Sequence, residues 1–390
     1  MTAFEFTTTK QIISEPGSLA RLPEICANLG INKPYIITDP GIVSVGLLAQ
    51  LDESMAAKAM AYGVFSDVVA DPPDHLVMAA VEAAIAAGAD GIVGFGGGSS
   101  LDTAKLVALL VHSEQSLSDL YGIDNATGPR LPLVLIPTTA GTGSEATAVA
   151  IVTTGETTKS GVVSKLLYPD VALLDANLTI GLPAHVTAAT GIDAMVHAIE
   201  AFTSVHKKNP YSDMVAREAL RLLSANIYEA TFNGGNLVAR QNMLLGACLA
   251  GQAFANSPVA AVHALAYPLG GRFHIPHGLC NSLVLPHVLR FNAEAAEHWY
   301  AELNDCLADA KPGENSAASC ANFISSMEQL ILALGIPTKL SDMGISAEDI
   351  PQLAEDAMLQ TRLLINNPVD VTLADALNIY HAALTGINNG

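Results

Sequence analysis

Four side chains of types that bind transition metals stand out in the sequence. Asp193 and His197 lie four residues apart in a segment, 187–204, that has helical character, so both would leave one helical face. His263 lies in a second apolar, alanine-rich segment, and His277 follows fourteen residues later. One carboxylate and three imidazoles, without a thiolate, form a donor set for a divalent metal, and a metal that accepts a fifth ligand would polarise a substrate oxygen. Because spacing alone carries little information, an ordinary structural role stays open for each histidine.

A glycine-rich segment follows a predicted buried strand at 91–95. It reads GGGSSLDTAK over residues 96–105 and opens a predicted helix. Three glycines allow the backbone to approach a phosphate closely, and a helix N-terminus offers N–H donors and a positive dipole end. The pattern is neither a Walker loop nor Gly-x-Gly-x-x-Gly, so it indicates an anion, most simply a nucleotide. A plain glycine-rich turn is the alternative.

Two further stretches in the first half suit a nucleotide. Residues 137–145, PTTAGTGSE, follow a predicted strand at 133–136 and are dense in hydroxyls, which suits a pyrophosphate or ribose, although a solvated turn would look similar. Asp39 ends a predicted strand at 35–38, about where the adenosine ribose of a dinucleotide would lie. A carboxylate there would accept from the 2′-hydroxyl and repel a 2′-phosphate, which favours NAD over NADP. A simple turn at 39–41 is the competing interpretation.

The sequence predicts two different scaffolds for these segments. From 1 to 182, short β-branched runs alternate with alanine-rich helical stretches, which predicts a parallel α/β sheet with ligands beyond the carboxyl ends of its strands. From 183 to 390 the strand-like alternation disappears, which predicts an all-helical domain that carries the metal set. The predicted helical runs there are 184–204, 210–231, 236–254, 258–266, 292–309, 317–334 and 347–362.

Two local signals bear on the helix that carries His263. Ser257 followed by Pro258 is typical of a helix start, with the serine as cap and the proline in the first turn. Pro268, followed by glycines at 270 and 271, is expected to interrupt the helix.

Composition narrows the class of protein. The 390 residues are 50% hydrophobic and 14% charged, as in a well-packed globular protein. The net charge of −20, with no basic run longer than Lys207–Lys208, argues against a nucleic-acid partner. No stretch reaches the ~18 apolar residues of a membrane helix, and the N-terminus lacks a signal pattern, so we expect a soluble cytoplasmic protein without a membrane partner. Five scattered cysteines are expected to be reduced thiols.

Taken together, these stretches resemble the iron-containing (group III) alcohol dehydrogenase family. The matching segments are GGGSSLDTAK at 96–105, PTTAGTGSE at 137–145, ATGIDAMVHAIEAF at 189–202 and AVHALAYPLGGRFHIPHG at 261–278. The resemblance spans nearly the whole chain and implies a dehydroquinate synthase-like fold. That fold has an α/β N-terminal Rossmann-like parallel-sheet domain, here 1–182, and an all-α C-terminal domain, here 183–390. It also implies a homodimer or larger homo-oligomer.

The resemblance implies particular site residues as well. A metal, usually Fe²⁺ and sometimes Zn²⁺, would be held at Asp193, His197, His263 and His277. Phe254 matches a position that narrows the substrate pocket in relatives. The residues implied on or near the dinucleotide, besides Asp39, are Gly96, Gly97, Gly98, Ser99, Asp102, Thr138, Thr139, Thr142 and, by a looser match, Lys165.

One position departs from the family pattern. Many members carry a second histidine, associated with proton transfer, four residues after the third ligand, and this chain has Tyr267 there. A tyrosine with a reference pKa near ~10 donates a hydrogen bond readily but is a poor base at neutral pH. His274 could take over that role, or the proton could leave through the ribose hydroxyl and water. The catalytic candidates are therefore His263, His277, Tyr267 and His274.

The function expected from these features is reversible hydride transfer between an alcohol, either a primary alcohol or a diol, and NAD, giving the aldehyde. A dehydroquinate-synthase-like lyase of the same fold would need several basic residues lining its pocket, and the only ones we expect near the ligands are Lys165 and Arg272. A maleylacetate-reductase-like enzyme would need no metal. A non-catalytic scaffold would be expected to have lost a ligand or the glycine loop, and both are intact.

Overall fold

The computed structural model describes residues 3–155 and 158–387. Within that part of the chain the residues form two compact units. The α/β unit comprises Thr7–Leu182 and the segment Gly235–Cys248. The helical unit comprises Pro183–Gly234, the described residues after Cys248 and the described residues before Thr7. One helical segment from the second half of the sequence therefore belongs to the α/β unit.

The α/β unit contains strands and helices in alternation. Its strands are β1 (Gln11–Ser14), β2 (Pro34–Ile37), β3 (Gly63–Phe65), β4 (Gly91–Gly96), β5 (Gly122–Ile123), β6 (Leu133–Pro137), β7 (Val149–Thr154), β8 (Thr158–Val163) and β9 (Val171–Leu174). Its α-helices before Leu182 are α1 (Leu22–Asn28), α2 (Pro40–Ser44), α3 (Leu47–Ala56), α4 (Asp74–Ala86) and α5 (Gly98–Leu110). Short 3-10 turns lie at Ser18–Arg21, Leu117–Leu120, Ser144–Ala146, Lys165–Leu167 and Ala176–Thr179.

Six of the strands form one parallel sheet in the order β1-β9-β6-β4-β2-β3. The register aligns Ile37 of β2 with Gly94 of β4, and Gly96 of β4 with Pro137 of β6. A second sheet, β5-β8-β7, pairs β8 parallel to β5 and antiparallel to β7. The main sheet confirms the predicted parallel α/β architecture.

Alternate residues of each central strand pack on opposite faces of the main sheet, because successive strand side chains point in opposite directions. In β6, Leu133 and Leu135 join a core with α4 and α5, while Val134 and Ile136 join a second core with α1 and α3. Both faces are therefore covered, which explains why these strands read as continuous apolar runs.

This strand order brings three of the predicted nucleotide segments together. Asp39 follows β2, the glycine segment follows β4, and residues 137–145 follow β6. Because β2, β4 and β6 are parallel neighbours, their carboxyl ends lie at one edge of the sheet, where ligands of such sheets bind.

The helical unit begins with a long helix and contains no strand among the residues described. Its helices are α6 (Ala184–Thr203), α7 (Pro210–Phe232), the second part of α8 (Leu237–Asn256), α9 (Ala261–Phe273), α10 (His277–Asn292), α11 (Glu297–Asn304), α12 (Ser316–Ala333), α13 (Ile350–Met358), α14 (Thr361–Leu364) and α15 (Leu373–Thr385), with a 3-10 turn at Leu340–Met343. This confirms the predicted helical second half. Over the described residues no single helix has both the length and the apolar composition to cross a membrane, and only α8 and α9 taken as a bent pair pass that test.

Several local predictions in this half were wrong. Helix α9 begins at Ala261, and Ser257 does not cap it; the Ser257 hydroxyl instead donates to the Ala201 carbonyl. Pro268 does not end α9, which continues to Phe273. Helices α10 and α15 were not predicted, and the run predicted at 292–309 is the shorter α11. In the first half of the chain, the alternative of a simple turn at 39–41 does not hold, because Asp39 is the N-cap of helix α2 and its carboxylate accepts from the Ile42 N–H.

Candidate active site

Four donor side chains meet within the helical unit. One ligand atom from each of Asp193, His197, His263 and His277 can be chosen so that all lie within 4.8 Å of one another. Asp193 Oδ1 is 3.5 Å from His277 Nε2 and 4.0 Å from His263 Nε2. Two donors that bind one ion at ~2.0–2.2 Å are roughly 3.4 Å apart in a tetrahedral site, so these separations suit a single metal ion.

Three helices bring these donors together. Asp193 and His197 are one turn apart on α6, His263 lies in the first turn of α9, and His277 is the first residue of α10. Glycine at 278 allows α10 to start against α6, since a Cβ there would lie 2.5 Å from the carbonyl oxygen of Ala189. The close approach of two backbones thus fixes His277 beside the α6 donors.

Burial divides the donor set into an inner and an outer part. Asp193 and His263 are 2% exposed and His197 is 4% exposed. The His277 side chain is 35% exposed. Three donors are therefore shielded from water, and the side occupied by His277 is the accessible one.

The charge state of the carboxylate fits a metal ligand. Burial alone would favour the neutral acid, but the imidazoles of His197, His277 and His263, together with the Asn281 amide, hold the pKa of Asp193 below its ordinary value. Asn281 Nδ2 donates to Asp193 Oδ1 at 2.5 Å. An ionised oxygen beside three imidazoles is a hard-plus-borderline donor set suited to Fe²⁺ or Zn²⁺. The residues present fit a divalent transition metal.

Two residues at this centre, Asn281 and Glu200, were not identified as site residues from the sequence. Asn281 lies one turn after His277 on α10, and its Nδ2 is also 3.2 Å from His263 Nε2 and 3.3 Å from His277 Nε2. Glu200 lies on α6 and its Oε2 is 2.6 Å from His263 Nδ1. The signal that could have found them is helical spacing, because Glu200 follows His197 by three residues and Asn281 follows His277 by four.

The other sequence candidates of this unit lie around the same cluster or at its margin. The Phe254 ring, from the end of α8, stacks on His197 with centroids 4.4 Å apart. The Tyr267 ring is edge-on to His263 at 6.4 Å and 6.0 Å from the ring of His277. His274 is exposed and adopts a left-handed backbone conformation at the C-cap of α9.

In the α/β unit, a buried polar network joins the two nucleotide segments. Asp102, on α5, accepts from the Ser144 hydroxyl at 2.6 Å and from the Ile151 N–H at 3.0 Å. Lys105 is fully buried and donates to the Thr147 hydroxyl at 2.9 Å, with Asp102 Oδ1 at 3.4 Å. Burial lowers the pKa of Lys105 while Asp102 opposes that change. The network ties helix α5, which begins within the glycine segment, to the 137–145 segment.

The surface of these two segments presents the remaining candidates. Gly97, Gly98, Ser99, Thr139 and Thr142 are partly exposed, whereas Gly96 and Thr138 are buried. A Cβ at position 98 would lie 2.8 Å from the methyl group of Thr142, so the two segments touch where glycine is needed.

Asp39 lies beside the first residue of the glycine segment. Its Oδ2 accepts from the Ser100 hydroxyl at 3.0 Å, and a Cβ at Gly96 would lie 2.9 Å from that same oxygen. Gly96 has φ of 152°, a conformation that favours glycine. The carboxylate is therefore anchored at the edge of the glycine segment.

The two lysines of β8 and its continuation lie in different surroundings. Lys165 is exposed at the start of the 3-10 turn that follows β8. Lys159, at the other end of β8, forms an ion pair with Asp71 at 2.7 Å, and the Asp71 N–H donates to the Ser99 hydroxyl. The structure thus links Lys159, which the sequence did not single out, to the glycine segment.

Comparison with known proteins covers both units. A family model described as iron-containing alcohol dehydrogenase matches residues 9–176, and the C-terminal model of the Fe-containing alcohol dehydrogenase family matches residues 187–384. Long-chain-alcohol dehydrogenase 1 of Geobacillus thermodenitrificans (strain NG80-2) is 39% identical over 380 residues, which is 95% of this chain and 94% of that protein.

Solved structures agree over the same span. A 1,3-propanediol oxidoreductase superposes with a TM-score of 0.94 at 33% identity, over 98% of this chain and 100% of that one. A sulfoacetaldehyde reductase from Bifidobacterium kashiwanohense, in complex with NAD⁺, superposes with a TM-score of 0.88 at 28% identity, over 99% of this chain and 100% of that one.

Proposed function

The chain belongs to the iron-containing alcohol dehydrogenase family, and from that premise we propose that it is an NAD-dependent enzyme that interconverts a primary alcohol or diol and its aldehyde at a single divalent metal. The observation that carries this proposal is the buried set of Asp193, His197, His263 and His277, which offers one carboxylate and three imidazoles to one ion. The alternatives of a metal-free reductase and a phosphorylated-sugar-acid lyase receive no support from the named relatives.

The ligand residues would each make a defined contribution. A divalent metal bound by them supplies Lewis acidity, which lowers the pKa of an alcohol or polarises a carbonyl. Asp193 offers a hard oxygen, and the three histidines bind through neutral imidazole nitrogens, which need no proton release near pH 7. The accessible position of His277 leaves the substrate an approach from its side. Phe254 contributes an apolar wall against His197.

The choice of NAD over NADP is supported by Asp39. Its carboxylate is held at the edge of the glycine segment by Ser100 and the Ile42 N–H. A fixed negative charge there would accept from a ribose 2′-hydroxyl and repel a 2′-phosphate. The NAD⁺ complex of the Bifidobacterium relative agrees with this assignment.

For proton transfer we assign Tyr267 the part of hydrogen-bond donor rather than base. Its ring lies within 6.4 Å of the ring centres of His263 and His277. His274, by contrast, is exposed at the end of α9, so a direct transfer by its imidazole is a weaker candidate. A Tyr267→Phe variant should retain metal binding and lose turnover by about tenfold, the scale of one lost charge-assisted hydrogen bond.

The decisive experiment is metal removal and separate reloading. Protein stripped with a chelator would be reloaded with Fe²⁺ or with Zn²⁺ and assayed for NAD(H)-linked turnover on short alcohols, 1,3-propanediol and longer aldehydes. We expect activity to return with one metal, to prefer NAD(H) over NADP(H), and to be absent in a His263→Ala control loaded in the same way.

Two outcomes would contradict the proposal. Stripped protein that turns over as fast as reloaded protein would show that the four residues are not a catalytic metal site and would favour a metal-free reductase. Activity of the His263→Ala control equal to that of the reloaded wild-type protein would also show that the four residues are not a catalytic metal site. The metal that restores activity, and the best substrate of the panel, would define the enzyme further.

A further inference from the structure

Glu200 is a buried carboxylate for which the hydride-transfer reaction has no direct use. It lies on α6, is 4% exposed, and follows Asp193 by two helical turns. Its Oε2 is 2.6 Å from His263 Nδ1, and its Oε1 accepts from the Val262 N–H at 2.6 Å. Burying a carboxylate is unfavourable unless its oxygens accept hydrogen bonds. The contacts with His263 and Val262 therefore offset the cost of burying Glu200.

We propose that Glu200 is a positioning residue that holds His263 in the tautomer and orientation required of a metal ligand. The inference rests on the metal site proposed above, and it adds a role for a residue outside that site. Glu200 would act only through His263, without touching substrate or cofactor.

The tautomer follows from hydrogen-bond chemistry. A neutral imidazole carries its proton on one nitrogen and a lone pair on the other. The Oε2 oxygen of Glu200 serves as the acceptor of the 2.6 Å contact at Nδ1, which assigns the imidazole proton to that nitrogen. The lone pair is then on Nε2, the nitrogen of His263 that lies 4.0 Å from Asp193 Oδ1. The Glu200 carboxylate therefore orients Nε2 of His263 toward the other donors.

The second oxygen of Glu200 fixes the backbone that carries His263. Val262 is the second residue of α9, and its N–H is one of the first-turn donors that a helix leaves unsatisfied. The N-cap residue, Ala260, has no side chain able to accept it, and none of the described side chains of that segment caps the helix. Glu200, reaching across from α6, takes the place of a local cap and sets where α9 starts relative to α6.

Charge balance supports the same assignment. A divalent ion among three neutral imidazoles would meet one negative charge from Asp193 and a second from Glu200, so the buried set would be neutral as a whole. Since an uncompensated charge in the interior is strongly unfavourable, Glu200 should strengthen cation binding beyond the orientation of His263.

The test compares metal binding in matched variants rather than turnover. Glu200→Gln keeps size and leaves one carbonyl oxygen to accept from the Val262 N–H. Its amide nitrogen can only donate, so it would place a lone pair at His263 Nδ1 and move the proton to Nε2. Glu328→Gln is the control, because Glu328 is also buried in this unit but pairs with Arg290 at 2.6 Å, away from the ligands.

Zinc affinity would be measured on stripped protein by competition with a chelating dye. We expect Glu200→Gln to bind zinc about 10–100-fold more weakly than wild type, the usual effect of losing the partner of a ligating histidine, and Glu328→Gln to match wild type. Zinc affinity of Glu200→Gln within about twofold of wild type would overturn the inference. Wild-type affinity no better than that of His263→Ala would instead overturn the proposed metal site itself.

Should Glu200→Gln not fold, the wild-type protein still decides the question. Long-range ¹H–¹⁵N correlation spectra of the metal-stripped protein, with His263→Ala for assignment, report which nitrogen of His263 carries its proton when no metal fixes it. We expect the proton on Nδ1. A proton on Nε2 would show that Glu200 does not set the tautomer, and the inference would be wrong.

Discussion

His287, on the same helix as the proposed ligand His277, offers a test of the buried electrostatics of the helical unit. It lies on α10, is 7% exposed, and its Nε2 has no hydrogen-bond partner among the described residues. Burial, with a smaller contribution from Arg290, lowers the pKa of His287 from 6.5 to about 4. The unfolded chain therefore binds one more proton than the folded chain between these two pH values.

The sign of the effect on stability follows directly. Because the unfolded state holds the extra proton, the contribution of His287 to the free energy of unfolding falls as pH drops below 6.5. This contribution levels off below about pH 4. At ~1.4 kcal/mol per pKa unit, this one residue would account for about 3 kcal/mol of acid destabilisation. Above pH 7 the imidazole is neutral in both states and contributes no pH dependence.

A His287→Leu variant should remove this part of the pH dependence. Urea unfolding of wild type and variant would be followed from pH 7.5 to 4.5 in chelator, because acid also strips metal from histidine ligands. As pH falls over this range, the free energy of unfolding of the variant should rise by about 2–3 kcal/mol relative to that of wild type. The exposed His381, replaced by Ala, serves as control and should follow wild type. If the difference in free energy of unfolding between wild type and variant stays constant across pH, the assignment of a buried, neutral His287 is refuted.

Three further substitutions test the parts of the candidate site. Gly278→Ala should weaken zinc binding about tenfold or more, since the added Cβ would meet the Ala189 carbonyl at 2.5 Å, whereas Gly270→Ala, with its nearest contact at 3.5 Å, should bind zinc as wild type does. Lys105→Met should lower the free energy of unfolding in urea by about 2–3 kcal/mol, because it leaves the partly buried Asp102 without its cation; an unchanged unfolding midpoint would contradict the network. Asp39→Ser should raise the NADP/NAD ratio of kcat/KM by about tenfold, the equivalent of ~1.4 kcal/mol of removed repulsion, and an unaltered ratio would show that Asp39 does not discriminate.

Two of the four proposed ligands are coupled by local geometry, so the sequence alone could place them together. Asp193 and His197 are one turn apart on α6, so any helix there places them on one face. His263 and His277 have no such local relation to them. Their convergence depends on the packing of α9 and α10 against α6, including the glycine contact at Ala189, which residue types could suggest but no local pattern could place.

Helix α9 shows how tertiary packing can override a local signal. Proline inside a helix removes one N–H donor and crowds the preceding turn, so a break at Pro268 is the expected outcome. The helix nevertheless continues, with most of its residues buried, and the Tyr380 hydroxyl donates to the Leu265 carbonyl in the turn before the proline. A contact from a residue 115 positions away cannot be found by a local pattern.

Asp102 shows that a residue within a motif can have a structural role that the motif does not indicate. The segment GGGSSLDTAK indicates an anion site, and its aspartate reads as one more polar group for a nucleotide. In the folded chain its two oxygens accept from Ser144 and the Ile151 N–H, with the buried Lys105 ammonium 3.4 Å away. A carboxylate engaged in this way acts first on the protein, since it fixes the 137–145 segment against the helix that follows the glycines. The same reasoning applies to Glu200 and His263: motif matching identifies the groups that face a ligand, whereas the hydrogen bonds that orient those groups come from residues that no motif assigns.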